Sequence, residues 1–245
     1  MKYIDSLNLI GLNSYLNMID VGDAFLMGDL EEYSCKIAGS DKKIYKSLDK
    51  ELEELSSTPQ QSSLATSASP SSSSMLSVSP FGPLSSSTSR KTMIYLIQTL
   101  NASFPDYDFS DSKPEQFRKE PSLNLVINSI NATLSGYIKD YFAEFEAKLW
   151  STLETEISLQ KCDIYSYIPE NGDPFTEAGV LYSFNYFFYN RSLKKIVFFK
   201  CRYISKLPIL DNMDTNKEDL PDQEELDDDY YTEYYNDTVD GMEMN

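Results

Sequence analysis

The chain has 245 residues, of which 41% are hydrophobic and 13% aromatic, and its net charge is −18 with no histidine. The absence of histidine removes the commonest general base and a frequent metal ligand, and no glycine-rich phosphate loop or G-x-S-x-G motif is present, so no catalytic site, cofactor or metal is expected. A net acidic chain without a basic domain is not expected to bind nucleic acid sequence-specifically, and without a run of 18 apolar residues no membrane span is expected.

The apolar pattern predicts strands at both ends of the chain and helices between them. Two β-rich runs, 14–20 and 23–36, are followed by helical spacing of apolar residues over 41–55, 90–101, 123–134 and 142–157. A strand over 162–168 precedes an aromatic hairpin, 181–203, whose tip is 190–195. The pattern predicts an α+β fold, a mostly antiparallel sheet of about five strands with helices packed on it.

Two segments differ in composition from the rest. Residues 56–89 carry no charge and contain sixteen serines, and residues 211–245 carry 14 acidic groups and one basic group, Lys217. Neither segment has enough apolar surface to offset the entropy of ordering, so we expect a disordered linker and a disordered acidic tail. Because the N-terminal strands need the C-terminal ones to bury their apolar faces, 1–55 and 90–210 are expected to form one domain. The tail is interpreted as a solvating segment or as a weak docking segment containing tyrosines.

The second strand of the hairpin is strongly basic. Residues 191–206 carry six basic groups and no acidic one, namely Arg191, Lys194, Lys195, Lys200, Arg202 and Lys206. The first five are candidates for binding an acidic partner, because complementary charge steers association. The alternative is that these charges protect a sheet edge from pairing with other chains.

The linker carries three Ser/Thr-Pro pairs that predict phosphorylation. The candidate sites are Thr58, Ser69 and Ser79. Each phosphate would add about −1.5 to −2 charge and would make a neutral tract acidic. The alternative is chance, since such pairs arise readily in a segment rich in serine and proline.

The chain resembles the Maf family of repressors of RNA polymerase III transcription, which is unrelated to the leucine-zipper Maf proteins. Short motifs carry the resemblance in family order: Gly22 to Ala24, Glu32 to Gly39, Ser89 to Thr92, Tyr95 to Ile97, Thr99 to Asn101, Pro105 to Ser110, Glu120 to Ser122, Cys162 to Tyr167, Asp173 to Phe175, Ser183 to Asn190 and Lys195 to Phe199. Tyr182 stands where the family often has tryptophan, and the linker lacks the Arg-Arg-x-Ser/Thr motif of a basophilic kinase.

The resemblance implies a single domain interrupted by a mobile linker. It implies that the protein binds RNA polymerase III and blocks assembly with the initiation complex that contains the TATA factor. It also implies control by nutrient-responsive kinases, among them target of rapamycin, and by phosphatases, with shuttling between cytoplasm and nucleus. The alternatives from other classes are a cytoplasmic phosphorylation-dependent adaptor and an enzyme that uses carboxylate pairs such as Asp106 and Asp108.

Overall fold

Seven antiparallel strands form one sheet through the centre of the computed structural model, which describes residues 1–37, 39, 41–57, 79–138 and 142–206. The strand order is β1-β3-β7-β6-β5-β4, and β2 pairs with β3 on the same side as β1. The strands are β1 Lys2–Ile4, β2 Ile19–Asp20, β3 Ala24–Ser34, β4 Phe117–Lys119, β5 Asp163–Tyr167, β6 Val180–Asn190 and β7 Lys195–Ser205.

Five α-helices in the described residues cover both faces of the sheet. They are α1 Leu7–Leu16, α2 Asp41–Ser57, α3 Ser87–Ser103, α4 Leu123–Tyr137 and α5 Phe142–Ile157, with short 3₁₀ turns at Pro114–Gln116 and Leu159–Lys161. Helices α1, α4 and α5 bury their apolar side chains against one face, whereas α2 and α3 bury theirs against the other. The structure thus confirms the α+β class and adds that the sheet lies between two helical layers.

The aromatic hairpin is the centre of the sheet. Residues 184–190 of β6 are buried without interruption, because alternate side chains point to opposite faces and both faces are covered. Phe184, Tyr186, Phe188, Val197 and Phe199 all belong to the core beneath α1, α4 and α5. The opposite face carries a second aromatic set, which includes Phe187 stacked on Phe198 with ring centroids 4.4 Å apart.

The N-terminal strands join the C-terminal hairpin, as expected. Strand β3 pairs with β7 over eleven residues, from Ala24 opposite Ser205 to Ser34 opposite Lys195. The described residues of both segments belong to one unit. The predicted tail, 211–245, lies outside the described residues.

The prediction of a strand over 14–20 was wrong. Residues 14–16 of this run are the end of α1, in which Leu9, Leu12 and Leu16 are buried at helical spacing and Ser6 Oγ accepts a hydrogen bond from Leu9 N at the start of the helix. Only the two residues of β2 remain extended. The helical pattern was concealed because the apolar residues of α1 are not confined to one face: Leu7 and Ile10 are exposed.

The predicted linker, 56–89, extends too far toward the C-terminus. Residues 79–89 belong to the described fold, whereas 58–78 lie outside the described residues. Phe81 is buried between Phe117 and Tyr165, with ring centroids 5.5 and 5.3 Å away, and α3 begins at Ser87. The serine-rich composition of this segment gave no sign that Phe81 is buried in the core.

Two asparagine side chains occupy positions where strand pairing is interrupted. Asn13 of α1 accepts a hydrogen bond from Leu30 N at 2.9 Å and donates one to Leu30 O at 3.0 Å, at the outer side of β3 between β1 and β2. Asn185 binds Tyr167 N and O in the same manner where β5 and β6 diverge.

Helix α1 approaches β3 closely because Gly28 lacks a Cβ, which would lie 3.1 Å from Leu16 Cβ.

Among the described residues, none of the helices is both long and apolar enough to cross a membrane.

Candidate partner-binding surface

Basic side chains from six separate parts of the fold meet at one end of the sheet. At this end Lys2, Ser34, Lys195 and Asn190 lie side by side on four adjacent strands. We call the surface the basic end, and it comprises Lys2, Lys36, Lys91, Lys119, Lys161, Arg191, Lys194 and Lys195. All of these except Lys195 are exposed.

The turn between β6 and β7 at the basic end is held by local hydrogen bonds. Asn190 Oδ1 accepts from the backbone N–H groups of Ser192 and Leu193, and its Nδ2 donates to Ile157 O. Lys194 adopts a left-handed backbone with φ 54°, and its carbonyl accepts a hydrogen bond from Cys35 N at 2.8 Å. These contacts fix the direction in which the cations of the turn project.

Aromatic rings lie beneath three cations of the basic end. The charged groups of Lys91, Lys119 and Arg191 are 5.7 to 5.9 Å from the ring centroids of Tyr95, Tyr165 and Tyr189, respectively. A cation over an aromatic face is stabilised by the ring quadrupole, so these side chains have fewer rotamers available. The rings themselves are buried in the core beneath α2 and α3.

Asp163 is shared between two cations. Its carboxylate oxygens lie 2.7 Å from Lys119 Nζ and 2.8 Å from Arg191 Nε. Burial alone would raise the pKa of the Asp163 carboxyl, but the two cations lower that pKa below its ordinary value. One carboxylate facing two cations leaves this part of the basic end with an excess of positive charge.

Lys195 has a different role from its neighbours. Its Nζ lies 2.5 Å from Oε1 of Glu32, a carboxylate on β3 that is 1% exposed. A buried carboxylate is costly without a partner, so Lys195 stabilises the strand pair rather than offering a free charge.

The five partner-binding candidates do not form one surface. Arg191, Lys194 and Lys195 lie at the basic end, whereas Lys200 and Arg202 lie farther along β7. Lys200 Nζ contacts Glu31 at 2.7 Å and Asp29 at 3.5 Å and donates to Ser103 Oγ, and Arg202 pairs with Glu177 at 3.1 Å. Lys206, the sixth basic group of the predicted patch, pairs with Asp20 at 2.7 Å.

The opposite end of the sheet is rich in carboxylates. We call it the acidic end, and it comprises Asp20, Asp23, Asp106, Asp108, Asp111, Glu170, Asp173 and Glu177. Several of these carboxylates accept hydrogen bonds from neighbouring tyrosine and backbone groups. Asp173, for example, accepts from Tyr167 Oη at 2.8 Å and from Glu170 N at 2.7 Å, and Tyr107 Oη donates to Glu177.

The predicted phosphorylation sites are divided by the fold. Thr58 and Ser69 lie outside the described residues, whereas Ser79 begins the turn that carries Phe81 into the core. Ser79 O accepts from Gly82 N at 2.9 Å and Ser79 Oγ accepts from Phe81 N at 3.4 Å. Ser79 is therefore a half-buried structural residue and not part of an extended linker.

The three thiols, two of them buried and Cys162 partly buried, have the character of core residues. Burial raises the pKa of Cys35, Cys162 and Cys201 to about 12, which keeps them protonated and weakly nucleophilic at neutral pH. In the part of the chain that the structure describes, no group of three or more cysteine, aspartate or glutamate side chains is arranged to hold a metal ion.

Sequence reasoning missed five members of the basic end. Lys2, Lys36, Lys91, Lys119 and Lys161 are isolated along the chain and come together only when β1, β3, β4, α3 and the 3₁₀ turn before β5 assemble. Only the three members of the β6–β7 turn were visible as a sequence cluster.

Comparisons with known proteins agree with the architecture. The chain is 68% identical to a repressor of RNA polymerase III transcription from Dictyostelium discoideum, over the full length of both chains. It is 34% identical to the repressor of RNA polymerase III transcription from Schizosaccharomyces pombe, over 84% of each chain. A crystal structure of citrus MAF1 superposes with a TM-score of 0.61 at 32% identity, covering 82% of this chain and 98% of the citrus chain. The Maf1 regulator family model matches residues 26–200, and the chain therefore belongs to the Maf1 family of regulators.

Proposed function

We propose that this protein represses transcription by RNA polymerase III by binding the polymerase and blocking its assembly with the initiation complex that contains the TATA factor. The observation that carries the proposal is the 68% identity, over both full chains, to a protein named for this repression. The exposed cations of the basic end support a mechanism of protein contact, because a partner with complementary charge is drawn to them.

Control by phosphorylation is part of the proposal. Nutrient-responsive kinases, target of rapamycin among them, and opposing phosphatases act on Thr58, Ser69 and Ser79, and the protein moves between cytoplasm and nucleus with its phosphorylation state. At Ser79 a phosphate would add charge beside a turn that places Phe81 in the core, so modification there would weaken the fold as well as change charge.

Transcription of a transfer-RNA gene by purified polymerase III and its factors tests the repression directly. Protein added before the initiation complex forms should inhibit strongly, and protein added afterwards should inhibit less, because the proposed block acts on assembly. Retention of purified polymerase on the immobilised full chain is measured in parallel. Failure to retain the polymerase would contradict the proposal and would favour the adaptor without a polymerase role.

A second experiment tests the control. Replacement of Thr58, Ser69 and Ser79 by alanine should lower the level of precursor transfer RNA in well-fed cells, because the repressor would remain active. Unchanged precursor levels, with the variant present at the wild-type concentration, would argue against these sites as the switch.

A further inference from the structure

The charge of the basic end contrasts with that of the chain as a whole. The whole sequence carries a net charge of −18, and yet five exposed lysines at this end have no carboxylate partner among the described residues. These are Lys2, Lys36, Lys91, Lys161 and Lys194. Two further cations, Lys119 and Arg191, share the single carboxylate of Asp163. Unpaired charge concentrated on a rigid surface is available to a ligand at little cost in conformational entropy.

We infer that the basic end binds an acidic, extended polypeptide segment of the transcription machinery. This inference rests on the proposed function, to which it adds the site and the chemistry of the partner. The surface reaches from β1 to β4 across six adjacent strands, roughly 24 Å at a spacing of about 4.8 Å between strands. That width suits a segment of about seven extended residues, in which carboxylates face the cations.

Charge also argues against nucleic acid as the ligand. A duplex extends beyond a surface of this size, and its phosphates would then meet exposed carboxylates elsewhere on the fold. A short acidic segment meets the cations without approaching the acidic end, which lies about 33 Å away along the eleven residues of β3. The tyrosine rings at the basic end support cations from beneath and are buried, so they offer no face on which bases could stack.

Two triple variants of the full chain distinguish the effect of this surface on binding from the effect of the net charge. Lys36, Lys161 and Lys194 are each replaced by glutamate in the first, K36E/K161E/K194E. The control, K50E/K113E/K148E, makes the same change in net charge at exposed lysines outside the basic end. Circular dichroism spectra and urea midpoints establish that both variants are folded.

The probe is a fluorescent polyglutamate peptide of twenty residues, titrated by anisotropy at low and moderate salt. The first triple variant should bind at least about tenfold more weakly than wild type and lose most of the salt dependence, whereas the control should stay within about threefold. Equal weakening in both variants, or no binding by the wild type, would overturn the inference. Equally tight binding of an oligodeoxythymidylate of the same length would overturn the assignment to a polypeptide.

Polymerase retention distinguishes the two proposals. If the wild-type chain fails to retain polymerase III, the proposed function fails whatever the peptide titration shows. If the wild type and the first triple variant retain the polymerase equally, the inferred role of the basic end fails while the proposed function stands.

Discussion

The basic end and the acidic end of the sheet use their charges differently. At the acidic end, carboxylates such as Asp173 and Glu177 accept hydrogen bonds from nearby tyrosines and backbone groups, so their charges hold loops in place. At the basic end, lysines such as Lys36 and Lys161 are exposed and have no carboxylate partner in the described residues. The comparison shows that a high charge density alone does not identify a binding surface. The hydrogen bonds and ion pairs that the charged side chains make within the fold must be examined first.

The largest effect on the free energy of unfolding is expected at Lys195, the cation of the basic end that pairs with a buried carboxylate. Lys195→Ala should lower the free energy of unfolding by about 3–5 kcal/mol, because the buried Glu32 carboxylate would lose its partner. Urea unfolding at neutral pH measures the change. The double variant Glu32→Gln with Lys195→Met should recover most of the stability, and a loss of less than 1 kcal/mol in Lys195→Ala would show that Lys195 is not structural.

An intermediate effect is expected at the acidic end. Asp173→Asn should lower the free energy of unfolding by about 1–2 kcal/mol, because the hydrogen bonds from Tyr167 Oη and Glu170 N would lose their charged acceptor. Thermal unfolding and urea midpoints report the loss. The same substitution at the exposed Asp111 is the control, and equal effects at both positions would remove the distinction between the two ends.

The smallest effect, of opposite sign, is expected at Lys194. Lys194→Gly should raise the free energy of unfolding by about 0.5–1 kcal/mol, because glycine adopts the left-handed backbone at φ 54° without a steric penalty. Lys194→Ala, which removes the same charge and keeps a Cβ, is the control for stability. A less stable glycine variant would contradict the interpretation that the side chain at this position serves a partner and not the fold.

The hairpin could be predicted from the sequence because the residues that indicate each strand are consecutive in the chain. Unbroken aromatic and β-branched runs such as those around Phe187 and Phe198 predict buried strands wherever they occur, and the family motifs lie in the same segments. Helix α1 was not predictable in the same way, because its apolar residues are spread over several faces, with Leu7 and Ile10 exposed, and do not mark a single buried stripe.

The basic end could be predicted only in part. Arg191, Lys194 and Lys195 are close in sequence, but the other members come from elements whose adjacency depends on sheet order. Sequence also grouped Lys200 and Arg202 with them, since it does not show that Glu31 and Glu177 lie within reach. Basic residues that are close together along a strand can thus differ in their availability to a partner, because carboxylates on neighbouring elements neutralise some of them.

The asparagine at the outer side of β3 has a consequence for association between copies of the chain. An uncovered edge strand offers N–H and C=O groups that can pair with another molecule. Asn13 occupies both groups of Leu30, which makes this stretch of β3 unavailable as a template for an intermolecular strand. A side chain from a helix thus provides the protection against aggregation that other sheets obtain from an additional strand.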